Sequence, residues 1–328
     1  MSNNEDQIQF PAARFIKEIG RGKDGARSMS MQDAEQLYHA MLAGRVSALE
    51  LGAILLSMRI KGESVDEIAG FLAAAKSFLL PLQIPADSQY APVLIPTYNG
   101  ARKKANLTPL LAMLLARRGV PVLVHGVQTD AGRVTTVEIF EAMGWPLAVD
   151  AAQVLAQMTA GRPALMSIDC LSPAMAHLLS LRQILGVRNS THTLVKILQP
   201  FDVPALRLTS YTHPEYREML TSYFTHKVSP QEGDVFLMRG TEGETVASTG
   251  RMQQIDWLHA GECTTLEYTH QTIIGAVTET PDHIDANSTA AWIEQVLAGK
   301  IEVPHNITAQ VEHCVAVARL IRHRSFAS

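Results

Sequence analysis

The first eighty residues place apolar side chains at helical spacing behind recognisable start signals. Ser47-Ala-Leu-Glu50 is a capping-box pattern, and Leu51, Ile54, Leu55 and Met58 follow it on one helical face. Ser64-Val-Asp-Glu67 is a second box, opening a helix through Ile68, Phe71, Leu72 and Ala75. Ser30-Met-Gln-Asp33 starts a similar helix, with Gly44 as its stop. Between the two boxes, MRIKGE is a short helix–helix connection carrying Arg59 and Lys61. Three prolines in PLQIPADSQYAP (81–92) then break the helical pattern, and the segment reads as a linker.

Beyond it the period shortens. The runs VLIPT, VPVLVHG and ALMSI alternate with helical stretches at 107–118 and 135–143, which is the signature of a largely parallel sheet. Residues 173–198 return to helix, ALRLTSY and VFLMRG resume the strand pattern, and helices over 287–299 and 306–322 close the chain. The expected fold class is therefore α/β plus a helical domain: a mainly parallel sheet flanked by helices, beside a smaller all-α domain. The expected division is a helical domain at 1–88, completed by inserted helices at about 173–203, and an α/β domain over 89–328 that the insertion interrupts. No internal repeat or low-complexity tract is present.

Composition narrows the class. With 328 residues, 47% of them hydrophobic and 18% charged, the chain can bury a sizeable core and is not of the disordered type. The start MSNNEDQIQF lacks a secretory profile, and no apolar run reaches membrane-spanning length. Cys170, Cys263 and Cys314 lie far apart in no metal-like spacing, so a reduced cytoplasmic protein is expected. No P-loop or nucleophile-elbow pattern occurs.

The net charge of −4 is unevenly spread. Residues 94–118 hold Arg102, Lys103, Lys104, Arg117 and Arg118 with no acid, whereas residues 231–302 hold twelve acids against Arg239, Arg251 and Lys300. Three of the first group sit in PTYNGARKKANLTP (96–109), between an expected strand and an expected helix. Such loops commonly hold phosphates, because free N–H groups and a helix dipole point there. A polyanion site needs Lys and Arg spaced along a groove, with aromatic platforms if single strands are bound. Arg102, Lys103 and Lys104 are the first candidates, with Tyr98 as the platform. Arg59 and Lys61 form a second group, Arg182, Arg188 and Lys196 a third, and Lys17, Arg21 and Lys23 a fourth. His125, at the end of an expected strand, is either a phosphate contact or a hydrogen-bonded core histidine.

Several stretches resemble a known family. LSMRIKGESVDEIAGF resembles the N-terminal helical motif of anthranilate phosphoribosyltransferases, and HLLSLRQILGVRNSTHTLVKILQP resembles their Arg-x-x-Leu-Gly-x-Arg helix pair. VLVHG and FLMRG stand where that family has comparable strands, so the resemblance runs over roughly residues 10–325. The enzymes carry a Gly-Thr-Gly-Gly-Asp turn, then Asn-Ile-Ser-Thr, around the pyrophosphate of phosphoribosyl pyrophosphate. Here those runs read Pro96-Thr97-Tyr98-Asn99-Gly100 and Asn106-Leu107-Thr108-Pro109. Of their Lys-His-Gly-Asn only His125-Gly126 is kept, and their magnesium-holding Asp-Glu is reduced to Gly243-Glu244 with Glu242 nearby. Arg188, at the position that contacts the anthranilate carboxylate, is kept.

Three altered elements of one active site, with YNGARKKANLTP in place of the glycine loop, make the chain similar to the YbiB-type (TrpD2) subfamily. That resemblance implies a phosphoribosyltransferase-like fold, a homodimer through the helical domains, and binding of DNA or RNA without sequence preference. It implies neither catalysis nor a cofactor. Two alternatives remain: a transferase with altered substrate, the one case that would need magnesium, and a binder of a small anionic ligand. Tyr98, Asn99, Gly100, Asn106, Thr108 and His125 would form the residual phosphate site.

Overall fold

The computed structural model describes residues 9–22, 24–271 and 280–327, apart from the side chains of residues 271, 326 and 327. It divides into two compact units, one of Met1–Leu79 with Ser172–Leu198, the other of Leu80–Leu171 with Gln199–Ser328. The division falls earlier than the expected 88/89 boundary because the chain after Leu79 pairs with the second unit: Leu80 N donates to Leu171 O at 2.8 Å and Leu82 N to Pro200 O at 2.9 Å.

The first unit is helical: α1 (Ala13–Ile19), α2 (Met31–Leu42), α3 (Ala48–Lys61) and α4 (Val65–Lys76). Ser30, Ser47 and Ser64 each accept a hydrogen bond from the third residue onward, and the boxes at α3 and α4 are reciprocal. Gly70 lets α4 lie directly on α2, since a Cβ there would stand 2.2 Å from Met31 O. The inserted segment is less regular than its pattern suggested. It forms short helices at Pro173–Ser180, Arg182–Leu185 and Thr191–Leu194, interrupted at Gly186, whose φ of 72° is the left-handed helix stop. It is held to α2 by the Tyr38 hydroxyl on Thr191 Oγ1 at 3.0 Å, while Tyr38 also packs on Phe71 of α4 with ring centroids 4.9 Å apart.

The second unit is built on a sheet. Its strands are β1 (Val93–Thr97), β2 (Val122–Gly126), β3 (Ala164–Ser167), β4 (Ala205–Tyr211), β5 (Gly233–Arg239), β6 (Arg251–Met252), β7 (Ile255–His259), β8 (Glu262–Glu267) and β9 (His270–Gln271). Seven of them run in the order β3-β2-β1-β4-β5-β7-β8, and β6 pairs with β9 in a separate two-stranded sheet. Strands β1 to β5 are parallel, whereas β7 and β8 extend the sheet antiparallel. Every residue of β1, β2 and β3 is buried, as expected for strands covered on both faces. The helices α5 (Thr108–Arg117) and α6 (Thr136–Ala142) supply Leu110, Leu111, Leu115 and Phe140 to the core, where Phe236, Trp292 and Ile293 join them.

The strand order reverses between β1 and β4, so the loops leaving these strands diverge. At such a switch point, at the carboxyl ends of parallel strands, α/β sheets hold their ligands. The loop leaving β1 is the one that carries Arg102, Lys103 and Lys104.

Candidate functional site

The loop from Tyr98 to Leu107 is held from within. Tyr98 is turned inward, 7% exposed, and its hydroxyl shares a hydrogen bond with His125 Nδ1 at 2.8 Å. Burial pushes the Tyr98 hydroxyl well above its ordinary range and depresses His125 to about 3, so the ring stays neutral at physiological pH. Two expectations are thereby corrected. Tyr98 offers no face for a base to stack on, and His125 is a hydrogen-bonded core histidine and no cationic phosphate contact. Asn106 is equally engaged: its Nδ2 donates to Thr136 Oγ1 at 2.8 Å and its Oδ1 accepts from Thr108 N at 3.1 Å, whereas the buried Thr108 hydroxyl has no hydrogen-bond partner among the described residues. Asn106 thus caps α5 in place of the apolar Leu107 while fastening the loop to the start of α6.

The backbone amides of the loop are occupied as well. Glu244 Oε1 accepts from Asn99 N at 2.8 Å and Gly100 N at 2.7 Å. Glu242 accepts from Arg102 N at 2.5 Å and Lys103 N at 2.9 Å. The turn that presents the two carboxylates has left-handed φ at Glu242 (54°) and Gly243 (95°). It is pinned by Asn99 Nδ2 and Ser210 Oγ, which donate to Gly243 O at 2.7 and 2.8 Å. Gly100 (φ 66°) passes so close to the neighbouring backbone that a Cβ would meet Val134 O at 2.9 Å. Burial raises the Glu242 carboxyl, but hydrogen bonds from the Lys103, Arg102 and Lys104 backbone outweigh it and hold the group below its ordinary range.

Such N–H groups are what a strand–helix loop turns toward a phosphate. Here two of the protein's own carboxylates fill that role. The same geometry tests for magnesium: a diphosphate-bound ion needs carboxylate oxygens facing it. Glu242 spends both its oxygens and Glu244 its Oε1 on amides, and no group of three His, Cys, Asp or Glu side chains among the described residues could hold a metal. The residues do not fit the ion.

What faces outward is charge. Arg102, Lys103 and Lys104 are all exposed, and none of their side chains forms an ion pair among the described residues. With Arg133 and Arg239, Arg102 and Lys103 line an open depression of about 370 Å³. The last two arginines escaped the sequence reading. Arg239 ends β5 at the carboxyl edge of the sheet, a legible signal within FLMRG. Arg133 arrives through the pairing of Ala101 with Val134, for which no local pattern exists.

The other candidates divide. Arg59 and Lys17 are exposed. Lys61 is not a surface cation: its side chain is 8% exposed and its ammonium lies 2.7 Å from the fully buried Glu67 carboxylate. Arg21, just past the end of α1, pairs with Glu18 in the last turn of that helix, and Lys23 lies outside the described residues. Arg182, Arg188 and Lys196 are half-buried around His192. Burial and these three like charges lower the His192 ring to about 3. The acid-rich stretch 231–302 is partly interior: Asp234 accepts from Trp257 Nε1 at 2.8 Å and Arg324 at 2.6 Å, and Asp256 accepts from Arg217 at 2.8 Å.

Comparison with known proteins agrees with the architecture. Residues 13–78 match the glycosyl transferase family helical bundle domain. The structure of anthranilate phosphoribosyltransferase from Saccharomyces cerevisiae in complex with PRPP and Mg superposes with a TM-score of 0.69 over 95% of this chain and 89% of that one, at 13% identity. An anthranilate phosphoribosyltransferase of Methylocella silvestris is 30% identical over 187 residues, 57% of this chain and 51% of that protein. The chain therefore has the anthranilate phosphoribosyltransferase-like fold, a helical bundle joined to a mostly parallel α/β domain. Its sequence is 42% identical to YbiB of Escherichia coli (strain K12) over 303 residues, 92% of each chain. It belongs to the YbiB family.

Proposed function

We propose that this protein binds the phosphate backbone of nucleic acid without sequence preference, in the cytoplasm, and does not transfer phosphoribosyl groups. One observation carries the reading: the loop amides that would cradle a pyrophosphate are taken by Glu242 and Glu244, while Arg102, Lys103 and Lys104 stand exposed. An incoming anion meets side-chain cations and not a backbone cradle. Long, mobile cations spaced along a surface suit a repeating polyanion, each displacing condensed counterions. Arg133 and Arg239 extend the basic surface on the α/β unit, and Arg59, Lys17, Arg182, Arg188 and Lys196 supply cations on the helical unit.

The protein acts as a homodimer in this reading. Leu49, Leu56 and Ile60 on α3 are 86%, 47% and 64% exposed, an apolar stripe on the helical unit that a second copy would cover. Two loops on one particle raise the effective concentration of the second contact once the first has formed.

The test is binding of a labelled single-stranded oligonucleotide and a duplex across a salt series, with wild type and the Arg102→Ala/Lys103→Ala/Lys104→Ala variant. Each phosphate contact contributes about −0.7 to the log–log salt slope for single strands, so losing three flattens it by about 2. Binding indifferent to the triple change removes this reading. Magnesium-dependent pyrophosphate release from phosphoribosyl pyrophosphate would restore the transferase.

A further inference from the structure

The lining of the depression says which part of a polyanion it can recognise. Arg102, Lys103, Arg133 and Arg239 supply its charge, Thr212 a hydroxyl, and Glu242 its one carboxylate. That carboxylate is already bonded to the Arg102 and Lys103 amides at 2.5 and 2.9 Å, so it is not directed at the exocyclic amine of a base. The aromatic ring of the loop, Tyr98, is folded beneath it against His125. Binding pockets for organic ligands are lined mainly by apolar and aromatic side chains. Four of the side chains in this lining are cations and none is aromatic, so base stacking, which supplies much of single-strand affinity elsewhere, has no aromatic platform in it.

Every charged donor that the depression offers is complementary to phosphate oxygens, and none of them requires a sugar or a base beside the phosphate. Guanidinium forks meet two oxygens of one phosphate, and the lysine ammonium acts as a mobile point charge. From this lining we infer that the depression binds linear inorganic polyphosphate, a chain of phosphates carrying neither sugar nor base, and that polyphosphate competes with nucleic acid there. The inference rests on the proposed backbone-binding role but goes beyond it in ligand class. Glu242 serves the site by position: it holds the Arg102 and Lys103 backbone so that both side chains project outward.

The experiment titrates the full-length protein with size-fractionated polyphosphate, with orthophosphate, and with a single-stranded oligonucleotide, each across a salt series. Wild type, the Arg102→Ala/Lys103→Ala/Lys104→Ala variant and Arg239→Gln are compared, with circular dichroism as a check that each variant is folded. The expected result is polyphosphate binding with a salt slope as steep as that of the oligonucleotide, and mutual competition. The triple variant loses both ligands, and Arg239→Gln flattens both slopes by about one contact. If the oligonucleotide binds through the loop but polyphosphate neither binds nor competes, the inference falls and the backbone-binding role stands. If neither ligand binds, both fall. Polyphosphate binding that ignores all four cations is adsorption elsewhere and overturns the inference. So does orthophosphate binding as tight as the chain, which would mark a single-phosphate pocket.

Discussion

Lys61 separates a cation that holds the fold from one that holds a ligand. Its ammonium lies 2.7 Å from Glu67 Oε2 and also donates to Gly62 O at 2.6 Å. Glu67 is completely buried, and its carboxylate accepts Met29 N at 2.9 Å and Ser64 N at 2.8 Å as well. One carboxylate thus closes the α4 capping box, fastens the residue before the α2 cap, and pairs with the end of α3. Lys61→Met keeps most of the aliphatic stem and deletes the charge. Removing one partner of a buried pair costs about 3–5 kcal/mol, because the other charge stays buried and uncompensated. The two amides still bonded to Glu67 favour the lower end. At about 3 kcal/mol, opening of the helical unit becomes roughly a hundredfold more frequent. Hydrogen exchange at the Met29 and Ser64 amides reads this directly, since both N–H groups lie on the carboxylate. In a Lys61→Met/Glu67→Gln cycle the two losses should be strongly non-additive. The oligonucleotide salt slope should not change. Wild-type exchange rates together with a slope flattened by about 0.7 would refute the argument and return Lys61 to the binding surface.

Three further outcomes follow from the geometry. His125 is depressed to about 3 in the folded protein against 6.5 unfolded, so between those values the unfolded chain binds more protons. Stability is then complete above pH 6.5 and falls as pH drops toward 3, by about 1.4 kcal/mol per unit from this group; denaturant titrations should lose that slope in His125→Gln. Gly126→Ala sets a Cβ 1.9 Å from Thr97 O in the β1–β2 pairing, and should lower thermal stability by at least the 1–3 kcal/mol typical of overpacking; a melting curve superposable on wild type would contradict the close approach. Leu56→Glu with Ile60→Glu places two charges on the exposed stripe of α3; if that stripe is the proposed dimer face, sedimentation should find a dimer for wild type and a monomer for the variant.

Much of this protein can be read locally. Ser47 with Glu50 and Ser64 with Glu67 start their helices where the four-residue pattern places them, because a capping box is satisfied within one turn. The buried runs VLIPT, VLVHG and ALMS are strands for an equally local reason, being continuous apolar stretches short enough to span a sheet. The exposed Arg102-Lys103-Lys104 triplet was legible too, since three adjacent cations cannot all be buried at tolerable cost. Tertiary structure alone decided which polar groups those loops would meet. Glu242 reaches the Arg102 amide from 140 residues away, and Arg133 joins the basic depression through a bridge between Ala101 and Val134. Arg59 and Lys61, expected in a short connection, both lie in the last turn of α3, because that helix runs on to Lys61, yet one is in solvent and the other is locked on a buried carboxylate. Tyr98 reads like a platform until His125 draws its hydroxyl inward. Spacing along the chain specifies which face a side chain occupies and how a helix begins. What a charge or a hydroxyl is paired with depends on desolvation and on partners brought from distant segments, and those exist only once the chain has folded.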